Sequence, residues 1–106
     1  MVDLKDFEEK IGEMTSFYKS LPNRVSDASD MFYAELGKES AEKIVDLVQK
    51  YRNDPKNAHL VRLHGHLMTL TRGVEGFRDK VINAQHKEYG KLRYQLFEFL
   101  EQKIRW

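Results

Sequence analysis

A run of apolar residues with the spacing of a coiled coil occupies the second half of the chain. These residues recur at alternating steps of three and four, which places them on one face of a helix: Leu60, Leu63, Leu67, Leu70, Val74, Phe77, Val81 and Ala84. Beyond Ala84 the rhythm shifts by one residue and then resumes, and a continuous helix can absorb such a shift by local unwinding. The pattern predicts a helix over about 56–84 and another over 85–105. The second helix either continues the first as one rod of about 70 Å or breaks from it near residues 83–87.

Two more helices are expected before this run. An apolar stripe with the same spacing follows Asp3, a suitable N-cap, and stops before Pro22, so a helix is predicted over about 3–20. A second stripe, mostly in steps of four, predicts a helix over about 24–52 with a possible kink at Gly37. The expected fold is therefore all-α. We predict one domain over residues 1–106, an antiparallel bundle of three or four helices with coiled-coil-like packing and a long C-terminal helix.

Composition excludes several classes of function. The chain has no cysteine, so it forms neither a disulfide nor a thiolate metal site. Its first residues are charged where a signal peptide needs an apolar run, and no apolar stretch approaches membrane-spanning length. We therefore expect a cytoplasmic protein, of host or viral origin, that does not bind membranes.

The charge is distributed unevenly between the two halves of the chain. Residues 1–53 contain 8 Lys and Arg against 11 Asp and Glu, whereas residues 54–106 contain 10 against 6. A basic half can bind nucleic acid, and the candidate phosphate contacts are Arg62, Arg72, Lys87, Lys91 and Arg93. The alternative, which we favour because the excess is small, is that the two halves attract each other as antiparallel helices.

A row of small residues lies opposite the apolar stripe of the third helix. Gly65, Thr69 and Gly73 are each four residues apart, although a glycine inside an exposed helix costs about 1 kcal/mol relative to alanine. Such a row lets another backbone approach closely, so we expect close helix packing here, within the chain or with a second copy. Two alternatives remain: a phosphate backbone flanked by Arg62 and Arg72, or glycines that face solvent and only weaken the helix.

The histidines do not form a metal-binding pattern. On a helix His64 and His66 point about 200° apart, and His59 and His66 are two turns, about 10 Å, apart. That separation is too large for one zinc ion. The sequence also lacks the glycine-rich loops and nucleophile motifs of common enzymes. We therefore predict no catalytic residue, no metal and no cofactor, and a protein that is not an enzyme.

The C-terminal segment is the most aromatic part of the chain. If the last helix is continuous, residues 85–106 project beyond the helix over 24–52, and their apolar face needs a partner. The predicted interface residues are Leu92, Leu96, Phe99 and Trp106. The sequence thus indicates a small protein–protein interaction module: an adaptor, assembly factor, inhibitor or structural subunit that forms a homodimer or larger assembly. The alternative function is a helical protein that binds nucleic acid through its basic half.

Overall fold

The computed structural model describes residues 2–74 and 76–106, and these residues form an all-α bundle. The helices are α1 (Glu8–Ser20), α2 (Ala28–Asn53), α3 (Asn57–Met68), α4 (Lys80–Glu88) and α5 (Gly90–Lys103). Leu4–Phe7 and Leu21–Asn23 are single turns of 3-10 helix, and Thr69–Gly73 is a π-helical turn that extends α3. Within the described ranges there is no strand, so the predicted all-α class is confirmed.

The first helical segment begins with a capping box at Asp3, the residue that the sequence predicts as the N-cap. The Asp3 carboxylate accepts a hydrogen bond from the backbone N–H of Leu4, at 2.7 Å, and the Asp6 carboxylate accepts one from the N–H of Asp3, at 2.8 Å. These bonds satisfy N–H groups that have no partner within the helix. At the other end, Pro22 lies in the 3-10 turn that follows α1.

The second helix begins four residues later than predicted and continues through Gly37 without interruption. Its N-cap is Asp27, whose carboxylate accepts from the N–H groups of the next turn. In its first half the buried face of α2 is built from small residues, including Ala34, Gly37 and Ala41, whereas its second half buries larger aliphatic side chains. A Cβ atom added at Gly37 would lie 3.3 Å from Cδ1 of Tyr18. Gly37 therefore permits the close contact between α2 and Tyr18 of α1.

Neighbouring helices run antiparallel around a common core. In each of three residue pairs, one residue lies at the start of a helix and the other lies near or just beyond the end of a neighbouring helix: Glu8 with Arg52, Asn57 with Arg105, and Phe7 with Phe99. Large side chains of α1, α3 and α5 fill the core against α2, whose buried residues are small in its first half and larger in its second. The largest extent of the bundle is 41 Å.

The predicted helix over 56–84 is wrong at Val74 and at residues 76–79, and residue 75 lies outside the described residues. The chain leaves the π-helical turn at Val74, whose φ and ψ are −115° and 82°, and Gly76 has a positive φ of 77°. Helix α4 then starts at Lys80, and the carboxylate of its N-cap, Asp79, accepts from the N–H groups of Val81 and Ile82. A single 70 Å rod is therefore excluded. The alternative break near 83–87 is also misplaced, because only Tyr89 separates α4 from α5.

A buried carboxylate of α2 holds this break in place. Asp30 accepts hydrogen bonds from the backbone N–H of Arg78, at 2.7 Å, and from that of Asp79, at 3.1 Å. Because Asp30 is buried, these bonds compensate for the removal of its charge from water. Helical periodicity carries no signal for such a tertiary contact, so the turn was missed.

Candidate functional site

The break between the π-helical turn and α4 determines whether the predicted interface residues are exposed. Since α4 and α5 fold back against α1 and α3, the side chains of Leu92, Leu96 and Phe99 are buried in the core of the same chain. In the folded chain these three side chains therefore fill the core, and their role in a subunit interface stays a prediction that their burial does not favour. Trp106 differs from them, because 75% of its surface is exposed.

The most chemically distinctive group of residues is a buried hydrogen-bonded cluster. The Tyr18 oxygen lies 2.7 Å from Nδ1 of His86. The Arg93 guanidinium donates to that same oxygen and, at 3.0 Å, to the backbone carbonyl of His86. Since the arginine has only donors, the tyrosine oxygen accepts from it, and the hydroxyl proton is then directed at Nδ1. This direction requires Nδ1 to be unprotonated.

The environment of the cluster keeps His86 neutral. Burial, with a smaller contribution from the positive charge of Arg93, lowers the pKa of His86 to about 4. Burial likewise raises the pKa of Tyr18, and Arg93 partly opposes that shift. A neutral histidine beside a tyrosine could exchange protons with a substrate, but all three side chains are buried. The cluster therefore serves to join α1, α4 and α5.

This burial also removes one candidate nucleic-acid contact. Arg93 directs its guanidinium inward to Tyr18, so it cannot reach a phosphate at the surface. The other four candidates, Arg62, Arg72, Lys87 and Lys91, are exposed. Two of them lie on α3 and its π-helical turn, and the other two lie on α4 and α5.

The row of small residues is open for most of its length. Gly65 is exposed, and a Cβ atom added there would find no other residue within 4 Å. Thr69 donates its hydroxyl to the Gly65 carbonyl, while a Cβ atom added at Gly73 would lie 3.5 Å from a Leu36 methyl group. No helix of the described chain therefore packs closely at Gly65. Close packing of a second copy on this row remains a prediction.

Apolar and aromatic side chains of α3, of α5 and of the last residue lie together at the surface, some exposed and some half-buried. We call them the aromatic surface: Val61, His64, Met68, Tyr94, Phe97 and Trp106. On α3, His64 follows Val61 by three residues and precedes Met68 by four, so all three share a face. The His64 ring contacts Phe97 and Trp106 edge-on, with centroids 5.3 Å away in both cases. The surface therefore continues from α3 across to α5.

The aromatic surface contains a shallow cleft with charged edges. The cleft encloses about 280 Å³, and Met68, Tyr94 and Phe97 form its apolar lining. Arg72 lies on the α3 side, while Glu98 and Glu101 lie on the α5 side. Among residues 2–74 and 76–106, these three side chains take part in no ion pair. The two edges therefore carry opposite and uncompensated charge.

Other types of site are not found in the described part of the chain. No three His, Cys, Asp or Glu side chains there lie close enough together to hold a metal ion. None of the described helices combines the length and apolar character needed to cross a bilayer. Comparisons with models of known protein families, with curated proteins and with solved structures gave no match to this chain.

Sequence reasoning identified only part of the aromatic surface. Trp106 was predicted to be an interface residue, and it belongs to the surface. Val61 and Met68 were missed, although each directly follows a core leucine, Leu60 or Leu67. That position lies 100° around the helix from the core residue, at the edge of the buried face. An apolar residue repeated there is the signal that could have indicated a second contact surface.

Proposed function

We propose that this chain is a non-enzymatic protein-interaction module that self-associates through the aromatic surface. The observation that carries the proposal is the exposure of two large aromatic residues, one towards each end of the surface, with half-buried apolar residues between them. Tyr94 is 70% exposed and Trp106 is 75% exposed. Tryptophan and tyrosine are enriched among the residues that dominate binding energy at protein interfaces, and contiguous exposed apolar patches commonly mark such interfaces.

The charged edges of the surface support a second copy of the chain as the partner. A two-fold interface brings the same surface together on both subunits, so that surface must be complementary to itself. If α3 of one copy lies over α5 of the other, Arg72 faces the edge that carries Glu98 and Glu101. The same contact occurs twice, once on each side of the axis. Opposite charges then meet around an apolar centre, the usual arrangement of a specific interface.

This arrangement replaces the mechanism expected from the sequence. Self-association no longer involves Leu92, Leu96 and Phe99, which stabilise the subunit itself. The contact instead uses the outer faces of the same two helical segments, α3 and α5. Substitution of Leu96 or Phe99 by aspartate would therefore unfold the chain rather than dissociate it.

The test is the mass in solution, measured by light scattering after size exclusion, over a series of protein concentrations. The parent chain is expected to be a dimer, and the double variant Tyr94→Ser, Trp106→Ser a folded monomer. Val81→Ser is the matched control, because Val81 is 63% exposed but lies on α4, outside the surface. This control should remain a dimer. A parent chain that stays monomeric at its highest soluble concentration would contradict the proposal.

A charge exchange tests the orientation of the two copies. Arg72→Glu should weaken the dimer because it places like charges on facing edges. Adding Glu98→Arg and Glu101→Arg to that variant should restore the dimer. If the triple variant dissociates further instead, α3 does not lie over α5 of the partner.

A further inference from the structure

A second exposed apolar surface lies on α2 and is separate from the aromatic surface. We call it the Phe32 surface; its residues are Ala28, Met31, Phe32, Glu35, Leu36 and Glu39. Phe32 is 67% exposed, and Met31 and Leu36 are half-buried beside it. Together the residues border an open groove of about 460 Å³. From Ala28 to Glu39 the surface extends along three turns of α2, about 16 Å.

The aromatic ring at the centre of this surface is held in position. The Phe32 ring packs edge-on against Tyr33, with centroids 5.4 Å apart, and Tyr33 packs against the buried ring of Phe77 at 6.0 Å. A side chain supported in this way loses little conformational freedom when a partner binds. Phe32 therefore has the properties of a preformed anchor rather than of a mobile surface residue.

The groove of the Phe32 surface is lined by two carboxylates, Glu35 and Glu39, and by no Lys or Arg. Glu35 has no ion-pair partner among the described residues, whereas Glu39 pairs with Lys43 at 3.2 Å. The nearest cation along α2 is Lys38, one turn from Glu35 and outside the groove lining. A second copy docked face to face would therefore bring carboxylates together, so this surface is not self-complementary.

We propose that the Phe32 surface binds a basic amphipathic helix of a different protein. The apolar face of that helix would cover Phe32 and Leu36, and its Lys or Arg side chains would reach Glu35 and Glu39. A partner helix of three to four turns, about 11–14 residues, matches the length of the surface. The proposal does not depend on self-association, because it uses a different helix and a different set of charges.

Binding of two model peptides tests the proposal. The first is a 14-residue amphipathic helix of leucine and lysine, and the second keeps every leucine but replaces each lysine with glutamate. Each carries a fluorescent label, and binding is followed by anisotropy at low and at raised salt. The lysine peptide should bind, more weakly as salt is raised, and the glutamate peptide should bind at least about tenfold more weakly.

Three variants locate the binding surface. Phe32→Ser should reduce the affinity for the lysine peptide about tenfold or more, and Glu35→Gln should reduce it severalfold. Tyr94→Ser, which removes an equally exposed aromatic ring from the aromatic surface, should leave the affinity unchanged. Unaltered far-UV circular dichroism would show that each variant is folded, as expected for changes at exposed positions.

Several results would overturn the proposal. The lysine peptide could fail to bind, the two peptides could bind equally, or Phe32→Ser could bind as the parent does. Loss of binding in Tyr94→Ser instead would assign the peptide to the aromatic surface. A lower mass of Phe32→Ser in light scattering would show that a second copy covers the Phe32 surface. A monomeric parent chain that still binds the lysine peptide through Phe32 would refute the proposed self-association and leave this inference intact.

Discussion

Mildly acidic pH should lower the free energy of unfolding by more than protonation of the carboxylates alone accounts for, because His86 is buried as a neutral base. An unperturbed histidine has a pKa of about 6.5 in the unfolded chain, whereas the folded environment lowers the pKa of His86 to about 4. The unfolded state therefore binds the proton first as pH falls. The stabilisation is complete above pH ~6.5 and is lost progressively between pH ~6.5 and pH ~4.

The magnitude follows from the difference between the two pKa values. Each pKa unit corresponds to about 1.4 kcal/mol, so complete protonation would remove about 3 kcal/mol of the free energy of unfolding. Between about pH 7.5 and about pH 5.5 the linkage relation gives a loss of about 1.3 kcal/mol. The main structural cause is the burial of the His86 ring, which disfavours its charged form, and the positive charge of Arg93 adds to this effect.

The assay is urea unfolding at both pH values, with His86→Gln as the reference variant. Glutamine does not titrate and can still offer an oxygen to the Tyr18 hydroxyl. Because the carboxylates are the same in both proteins, their effect cancels when the two pH-dependent losses are subtracted. The parent should lose about 1.3 kcal/mol more than the variant. Equal losses would refute the conclusion that His86 is held neutral by the fold.

Four substitutions test the packing by urea unfolding at neutral pH. Asp30→Ala removes the acceptor for two backbone N–H groups of the α3–α4 turn and should cost about 2–3 kcal/mol; an unchanged midpoint would show that the turn is held by other contacts. Gly37→Ala should destabilise by about 1 kcal/mol, because its Cβ would press on the ring of Tyr18. Gly12→Ala, at an open helical position, should stabilise by up to about 1 kcal/mol; a gain at Gly37 as large as that at Gly12 would contradict the close approach of α1 and α2. Gly65→Ala should also stabilise the isolated subunit, whereas a loss of self-association in that variant would show that a second copy packs on the row of small residues.

The parts of the fold that depend on local sequence could be predicted. Asp3 and Pro22 mark the limits of the first helical segment, and both act locally through capping and restricted backbone geometry. The break after Val74 was hidden because apolar residues continue the heptad spacing across it. Two residues did signal the break: Gly76 adopts the left-handed conformation that glycine favours, and Asp79 is the N-cap of α4. Their significance becomes clear only with Asp30, which is distant in sequence.

The candidate site was harder to predict than the fold, because exposure depends on how helices meet. Leu92 and Trp106 both belong to the apolar C-terminal segment, yet the first is buried and the second is exposed. The break before α4 decides the difference. Because the chain reverses there, α5 folds back and its apolar stripe is buried against the rest of the bundle. Close helix packing was likewise expected at Gly65, whereas within the chain it occurs at Gly37. A glycine in the sequence shows where close approach is possible but does not identify the neighbour.

The small buried face of α2 also determines which sequence changes the bundle can accept. Along that face, at Ala34, Gly37 and Ala41, a larger side chain would push neighbouring helices apart, so natural variation should be limited by size. Tyr18, the large residue that faces Gly37, has the reverse constraint, because a smaller side chain there would leave a cavity. The same core thus restricts the first half of α2 to small residues and its neighbour to a large one. A paired change, larger on α2 and smaller opposite, is the variation that this packing would tolerate best.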